Sequence, residues 1–110
     1  MERLGASGGI ADALRRVLVS RPGRIPDLEE AAKELGMSGR TLRRRLQQES
    51  TRFQVVREDV QKALALDYLQ RSNLSVDEIA SLLGYSETPN FYRAFNRWTG
   101  RAPGDFLKRS

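Results

Sequence analysis

The chain has 110 residues and contains neither cysteine nor histidine. The first absence removes disulfides and thiolate metal sites, and fits a reducing compartment. The second removes the commonest general base and the commonest zinc ligand. Ser-His-Asp and Cys-His catalysis are therefore excluded outright. Long apolar runs are missing as well. Nothing approaches the roughly 18–20 residues of a membrane span, and the first residues show no secretory pattern. No segment alternates apolar and polar positions, so no half-buried strand is predicted. No carboxylate pair, metal cluster or phosphate-cradling loop stands out, so neither an enzyme nor a cofactor is expected. Acid is in deficit: 14 Asp+Glu stand against 19 Lys+Arg, a formal net charge of +5. Lysine is scarcer still, because 16 of the 19 cations are arginine. Arginine's planar fork pairs bidentately with phosphate and with guanine edges, which lysine cannot match. A basic balance by itself also suits an ordinary solvated surface.

What remains is an all-α pattern with room for one compact domain, or for two very small ones sharing a helix. Residues 1–9, MERLGASGG, read as a flexible linker or the edge of an excised piece. Ile10, Leu14, Val17 and Leu18 recur at helical spacing, and Arg21-Pro22-Gly23 ends that helix. Asp27 and Glu30 form a capping-box signature ahead of Leu28, Ala31, Ala32 and Leu35. Gly36 closes this helix, and Ser38 caps the next, which carries Leu42 and Leu46. Phe53, Val56, Val60, Ala63, Leu64 and Tyr68 mark a long helix over residues 53–71.

The pattern then starts again. Ser75 and Glu78 repeat the capping box, Val76, Ile79, Ala80 and Leu83 repeat the inner face, and Gly84 repeats the stop. Thr88-Pro89 reads as an N-cap followed by proline at the first helical position. Phe91, Phe95 and Trp98 follow at helical spacing, Gly100 stops the helix, and Pro103 opens a last short one with Phe106 and Leu107. LEEAAKELGMS (28–38) lies over VDEIASLLGYS (76–86) without a gap, and after one inserted residue Leu42, Arg44 and Leu46 match Phe91, Arg93 and Phe95. Ala32 and Ala80 sit where two helices cross closely. Gly36 and Gly84 fall where a tight turn favours positive φ. Two helices joined this way form a helix-turn-helix, and the chain holds two of them.

A plain helical bundle with two similar hairpins is the competing reading, and the charge layout argues against it. Asp27–Leu35 carries four acids and one lysine, whereas Ser38–Gln48 carries Arg40, Arg43, Arg44 and Arg45 and no acid. Ordinary solvated helices mix signs to gain i,i+4 pairs. Four like charges within six residues point to a polyanion, double-stranded DNA. A 19-residue linking helix is roughly 28 Å long, close to the ~34 Å between major-groove faces on one side of the duplex.

Gly84-Tyr85-Ser86-Glu87 through Phe91, Arg93, Phe95, Trp98, Gly100, Pro103 and Phe106 resembles the signature of the AraC/XylS family of bacterial transcription regulators. The resemblance covers roughly residues 10–109. It implies about seven helices in two helix-turn-helix subdomains (10–52 and 72–110) joined by the helix at 53–71, binding to promoter DNA, and contact with RNA polymerase. By position it places base contacts at Arg40, Arg43 and Arg44, and at Thr88, Asn90, Tyr92 and Arg93. Phosphate contacts are assigned to Arg45, Arg52, Arg97 and Arg101, and to Ser38 and Ser86 as helix starts offering backbone N–H groups. Trp98 and Tyr85 read as packing; Tyr92 points away from the aromatic stripe. Two departures stand out. Pro89 occupies a position usually polar, and Ala102 stands where Thr or Ser often caps the last helix. The expected protein is a cytoplasmic, nucleoid-associated activator; either its effector or dimerisation domain lies outside this sequence, or it belongs to the small single-domain subset of the family. The alternative is a module that docks RNA polymerase or another acidic partner through its basic face.

Overall fold

Each helix that the periodicity predicts is present in the computed structural model, which describes residues 9–20 and 25–107. The turn assigned to Arg21-Pro22-Gly23 and nearly all of the 1–9 segment lie outside those residues. The order is α1 (Ile10–Ser20), α2 (Leu28–Glu34), α3 (Gly39–Gln48), α4 (Phe53–Arg71), α5 (Val76–Leu82) and α6 (Thr88–Thr99), closed by a 3-10 helix at Pro103–Phe106. No strand occurs among the described residues. The chain divides into two compact units, Met1–Val60 and Gln61–Ser110, with the boundary falling inside α4.

In the first unit the start of α2 is a complete capping box. The Asp27 carboxylate accepts from the Glu30 amide at 2.9 Å, and the Glu30 carboxylate accepts from the Asp27 amide at 3.0 Å. The helix ends in a Schellman turn: Met37 N–H donates to the Ala32 carbonyl and Gly36 N–H to that of Lys33, both at 3.0 Å. Gly36 supplies the left-handed residue, φ 77°. The turn delivers the chain to Ser38, whose Oγ accepts from the Thr41 amide at 3.1 Å and opens α3. Leu14 and Leu18 of α1, Ala31 and Ala32 of α2, and Leu42 and Leu46 of α3 are all buried. Burial of each leucine contributes roughly 1.5–3 kcal/mol. The N-terminus of α1 is held by a residue remote in sequence, since the Glu49 carboxylate accepts from the Ile10 amide at 2.7 Å and the Ala11 amide at 3.1 Å.

A Schellman turn also ends α3: Thr51 N–H donates to the Leu46 carbonyl and Ser50 N–H to that of Gln47. Its left-handed position is Ser50, φ 60°, the one described non-glycine residue with positive φ. Here a side chain costs what glycine avoids, about 1 kcal/mol. Ser50→Gly is therefore expected to stabilise the protein by about 0.5–1 kcal/mol, read as a higher urea midpoint at unchanged slope. An unchanged or lower midpoint would show that Ser50 is not strained.

The second unit repeats the scheme. Ser75 and Glu78 complete the second capping box, and Tyr85 N–H to Ala80 and Gly84 N–H to Ser81 complete the second Schellman turn around Gly84, φ 95°. Phe91, Ala94 and Phe95 form the buried face of α6. Phe95 is the hub, its ring 5.8 Å from Phe91, 6.3 Å from Trp98 and 5.3 Å from Phe106.

Four expectations need correction. The buried residues of α4 are Val56, Val60, Gln61, Ala65 and Leu69, while Ala63 is exposed and Leu64 and Tyr68 are only half-buried. Counting apolar residues alone passes over Gln61, through which the inner face turns. Helix α6 opens one residue early: its first-turn bond runs from Asn90 N–H to the carbonyl of Glu87, so Glu87 is the N-cap, without a side-chain bond, and Thr88 and Pro89 lie in the first turn. Ser86 consequently precedes the cap and is not a helix start. Leu107 lies beyond the closing 3-10 helix and is exposed. The missing cap foreseen at Ala102 is a fact of the structure, where no side-chain bond opens that helix.

Candidate nucleic-acid interface

Helix α3 buries Gly39, Leu42 and Leu46. At 100° per residue the opposite face carries Arg40 and Arg44, with Gln47 and Gln48 beside them. Arg43 stands on one flank, where it lines a cleft of about 390 Å³ with Leu28, Gln47, Arg52, Phe53 and Gln54. Arg45 stands on the other flank, beside Gly9, Ile10, Ala13, Gln48 and Glu49. The four arginines are all exposed, and among the described residues none is ion-paired with a carboxylate. The four acids from Asp27 to Glu34 do not neutralise them. One of those acids lies against the start of α3: a side chain on Gly39 would meet the Glu29 carboxylate. Glu29 is thus a negative neighbour at the helix end where Ser38 was expected to receive phosphate.

The outer surface of α6 is built similarly but less uniformly. Arg93 donates to the Asn90 side-chain oxygen, so two of the expected base-reading residues hold each other. Tyr92 is 42% exposed. Tyr92, Arg93, Asn96, Arg97 and Ala102 line one shallow hollow. Thr88 is half-buried. Arg101 has an acidic partner, its Nε 3.5 Å from Asp105, and its guanidinium lies 5.6 Å over the Phe106 ring. Both members of that pair are more than half exposed or nearly so (63% and 50%), so the pair is weak and exchangeable.

The structure therefore brings Arg40 and Arg44 to one outward face, sets Arg43 with Arg52 in the adjoining cleft, and gathers Asn90, Tyr92 and Arg93 on α6. It separates Ser86 from the helix start. Sequence reasoning passed over Gln47, Gln48 and Asn96. The signal was available as i,i+4 spacing from Arg43, Arg44 and Tyr92, but a scan for charge does not register amides. No group of side chains able to hold a metal ion, and no helix long and apolar enough to cross a membrane, occurs among the described residues.

Comparison with known proteins gives the same architecture. The family model described as "Helix-turn-helix domain" matches residues 31–109. The chain is 50% identical over 103 residues to the ornithine utilization regulator of Pseudomonas aeruginosa, covering 94% of this chain and 30% of that protein. Among solved structures it superposes on the transcriptional regulator CdpR from Pseudomonas aeruginosa with a TM-score of 0.81 at 35% identity, covering 90% of this chain and 31% of that one. It also superposes on the DNA-binding domain of AdpA, solved in complex with a target DNA, with a TM-score of 0.69 at 26% identity, covering 88% and 87%. The chain spans about 30% of the length of the first two. With the duplicated hairpin, the arginine helix and these matches together, the chain belongs to the AraC/XylS family of bacterial transcription regulators, as its helix-turn-helix DNA-binding domain.

Proposed function

We propose that the domain reads a promoter sequence through α3 and α6, each in a major groove, the two grooves being successive turns of one duplex. The observation that carries this reading is α3, an acid-free helix with Arg40 and Arg44 outward and unpaired among the described residues. Arginine pairs bidentately with guanine O6 and N7 in the major groove. Arg40 and Arg44 contact bases, Gln47 and Gln48 are placed to add adenine contacts, and Arg43 contacts a base edge or the phosphate next to it. On α6, Arg93 and Tyr92 face bases, with Asn90 orienting Arg93 and Thr88 at the rim. Phosphates are met by Arg45, Arg52, Arg97 and Arg101. Ser38 and Ser86 contribute less, the first because Glu29 shares its helix end, the second because its amide is outside the first turn of α6.

In this reading the domain is not an enzyme. It activates transcription in the bacterial cytoplasm by contacting RNA polymerase, and it works with an effector or dimerisation domain of the longer protein. The AdpA domain, similar to this chain, was solved with its target DNA, which supports the DNA partner over the alternative of a purely protein-docking module. Selection from random duplexes separates the two, because only a sequence reader enriches a motif. On the selected duplex, log affinity should fall against log salt with a slope of about −0.9 per phosphate neutralised. Failure to enrich any motif, with a salt slope equal to that on random DNA, would favour the docking module.

A further inference from the structure

Gln61 is the one polar side chain that the fold buries among the described residues, at 1% exposure. It belongs to the second unit, on the part of α4 that the unit includes. Its Nε2 donates to the Leu83 carbonyl at 2.9 Å. Its Oε1 accepts from the Tyr85 hydroxyl at a longer 3.4 Å. Both partners are on the turn between α5 and α6. The Schellman bonds of that turn engage the carbonyls of Ala80 and Ser81, while Leu83 is the C-cap residue, whose carbonyl is one of the orphans at a helix end. Gln61 satisfies it. The Tyr85 ring packs 5.6 Å from that of Phe91, and Phe91 is fully buried on the inner face of α6.

A continuous path thus runs from a buried amide, through the turn, to the helix whose other face carries Arg93 and Asn96. We infer that Gln61 is a positioning residue for DNA reading by the second unit: it fixes the α5–α6 turn and, through Tyr85 and Phe91, the setting of α6. Buried polar groups that are fully satisfied define one arrangement where apolar packing tolerates several. The first unit has no such device, because it buries no polar side chain among the described residues. The inference rests on the proposal that α6 contacts DNA.

The test compares affinities for two duplexes, one with the complete selected site and one with the α6 half scrambled. Wild-type protein should prefer the complete site by about tenfold or more, the cost of one or two mismatched base pairs. Gln61→Met conserves volume and removes both hydrogen bonds. It should reduce that preference to about threefold or less while leaving affinity for the scrambled duplex within about twofold, because one or two net hydrogen bonds separate the states. Tyr85→Phe should shift the preference in the same direction by a smaller step, and the double variant should match Gln61→Met alone, because both substitutions cut one path. A wild-type preference retained in Gln61→Met overturns the inference by itself. If that variant does not fold, Tyr85→Phe decides, and an unchanged preference overturns it. Equal affinity of the wild type for both duplexes overturns the α6 assignment and this inference with it, a result distinct from the other two.

Discussion

Replacing Phe95 with alanine is expected to destabilise the protein by about 3–5 kcal/mol. The ring is fully buried and is the meeting point of three other aromatics, Phe91, Trp98 and Phe106. Its removal takes away the transfer term and leaves a cavity that the two helical elements around it cannot close. A chain of this size has only a thin margin, on the order of 5–15 kcal/mol, so the loss is a large share of the total. Urea denaturation measures it, and hydrogen exchange locates it. Protection should fall across residues 76–106 more than across residues 28–48. A change below 1 kcal/mol would mean that the aromatic cluster is not what holds the second unit together.

Arg44→Ala is expected to cost about 1–3 kcal/mol of binding free energy, or roughly 5- to 150-fold in affinity, and to relax preference at one base position. The reason is directional. Arg44 lies opposite Leu42 and Leu46 on α3 and meets no carboxylate among the described residues, so its fork is available for a bidentate contact. Arg45, on the flank beside α1, supplies the contrast. Arg45→Ala should weaken binding evenly across sequences and lower the salt slope by about 1. Parallel selections with the two variants check both statements. An unaltered motif and affinity for Arg44→Ala would remove it from the readout.

Much of this is legible in the residue order alone. The two capping boxes, the two glycine stops and the gapless overlay of 28–38 on 76–86 are local features, and local features obey rules that read straight from residue order. The charge asymmetry between α2 and α3 was legible for the same reason. What escaped depends on contacts between residues far apart in the chain. Glu49 caps α1 across 38 and 39 positions, and Gln61 meets its partners 22 and 24 positions away; neither leaves a periodic trace. The stripe on α4 was misjudged because a buried amide counts as polar in any hydropathy scan. The start of α6 slipped by one residue because Thr-Pro imitates a cap, while the hydrogen bond that closes the turn belongs to Glu87. Gln47, Gln48 and Asn96 were passed over because the search followed charge, and amides become visible only once the outward face of each helix is known.

The arginines of α3 have a consequence for the fold itself. Arg40 and Arg44 stand one helical turn apart, as do Arg40 and Arg43, and like charges at those spacings oppose helix formation. In the free protein the docking of Leu42 and Leu46 holds together a helix that its own surface strains apart. In the proposed reading, the negative potential of the groove that receives α3 offsets that repulsion. On that proposal operator DNA is a structural ligand as well as a target, and by mass action the melting temperature of the domain is expected to rise with the amount of duplex present.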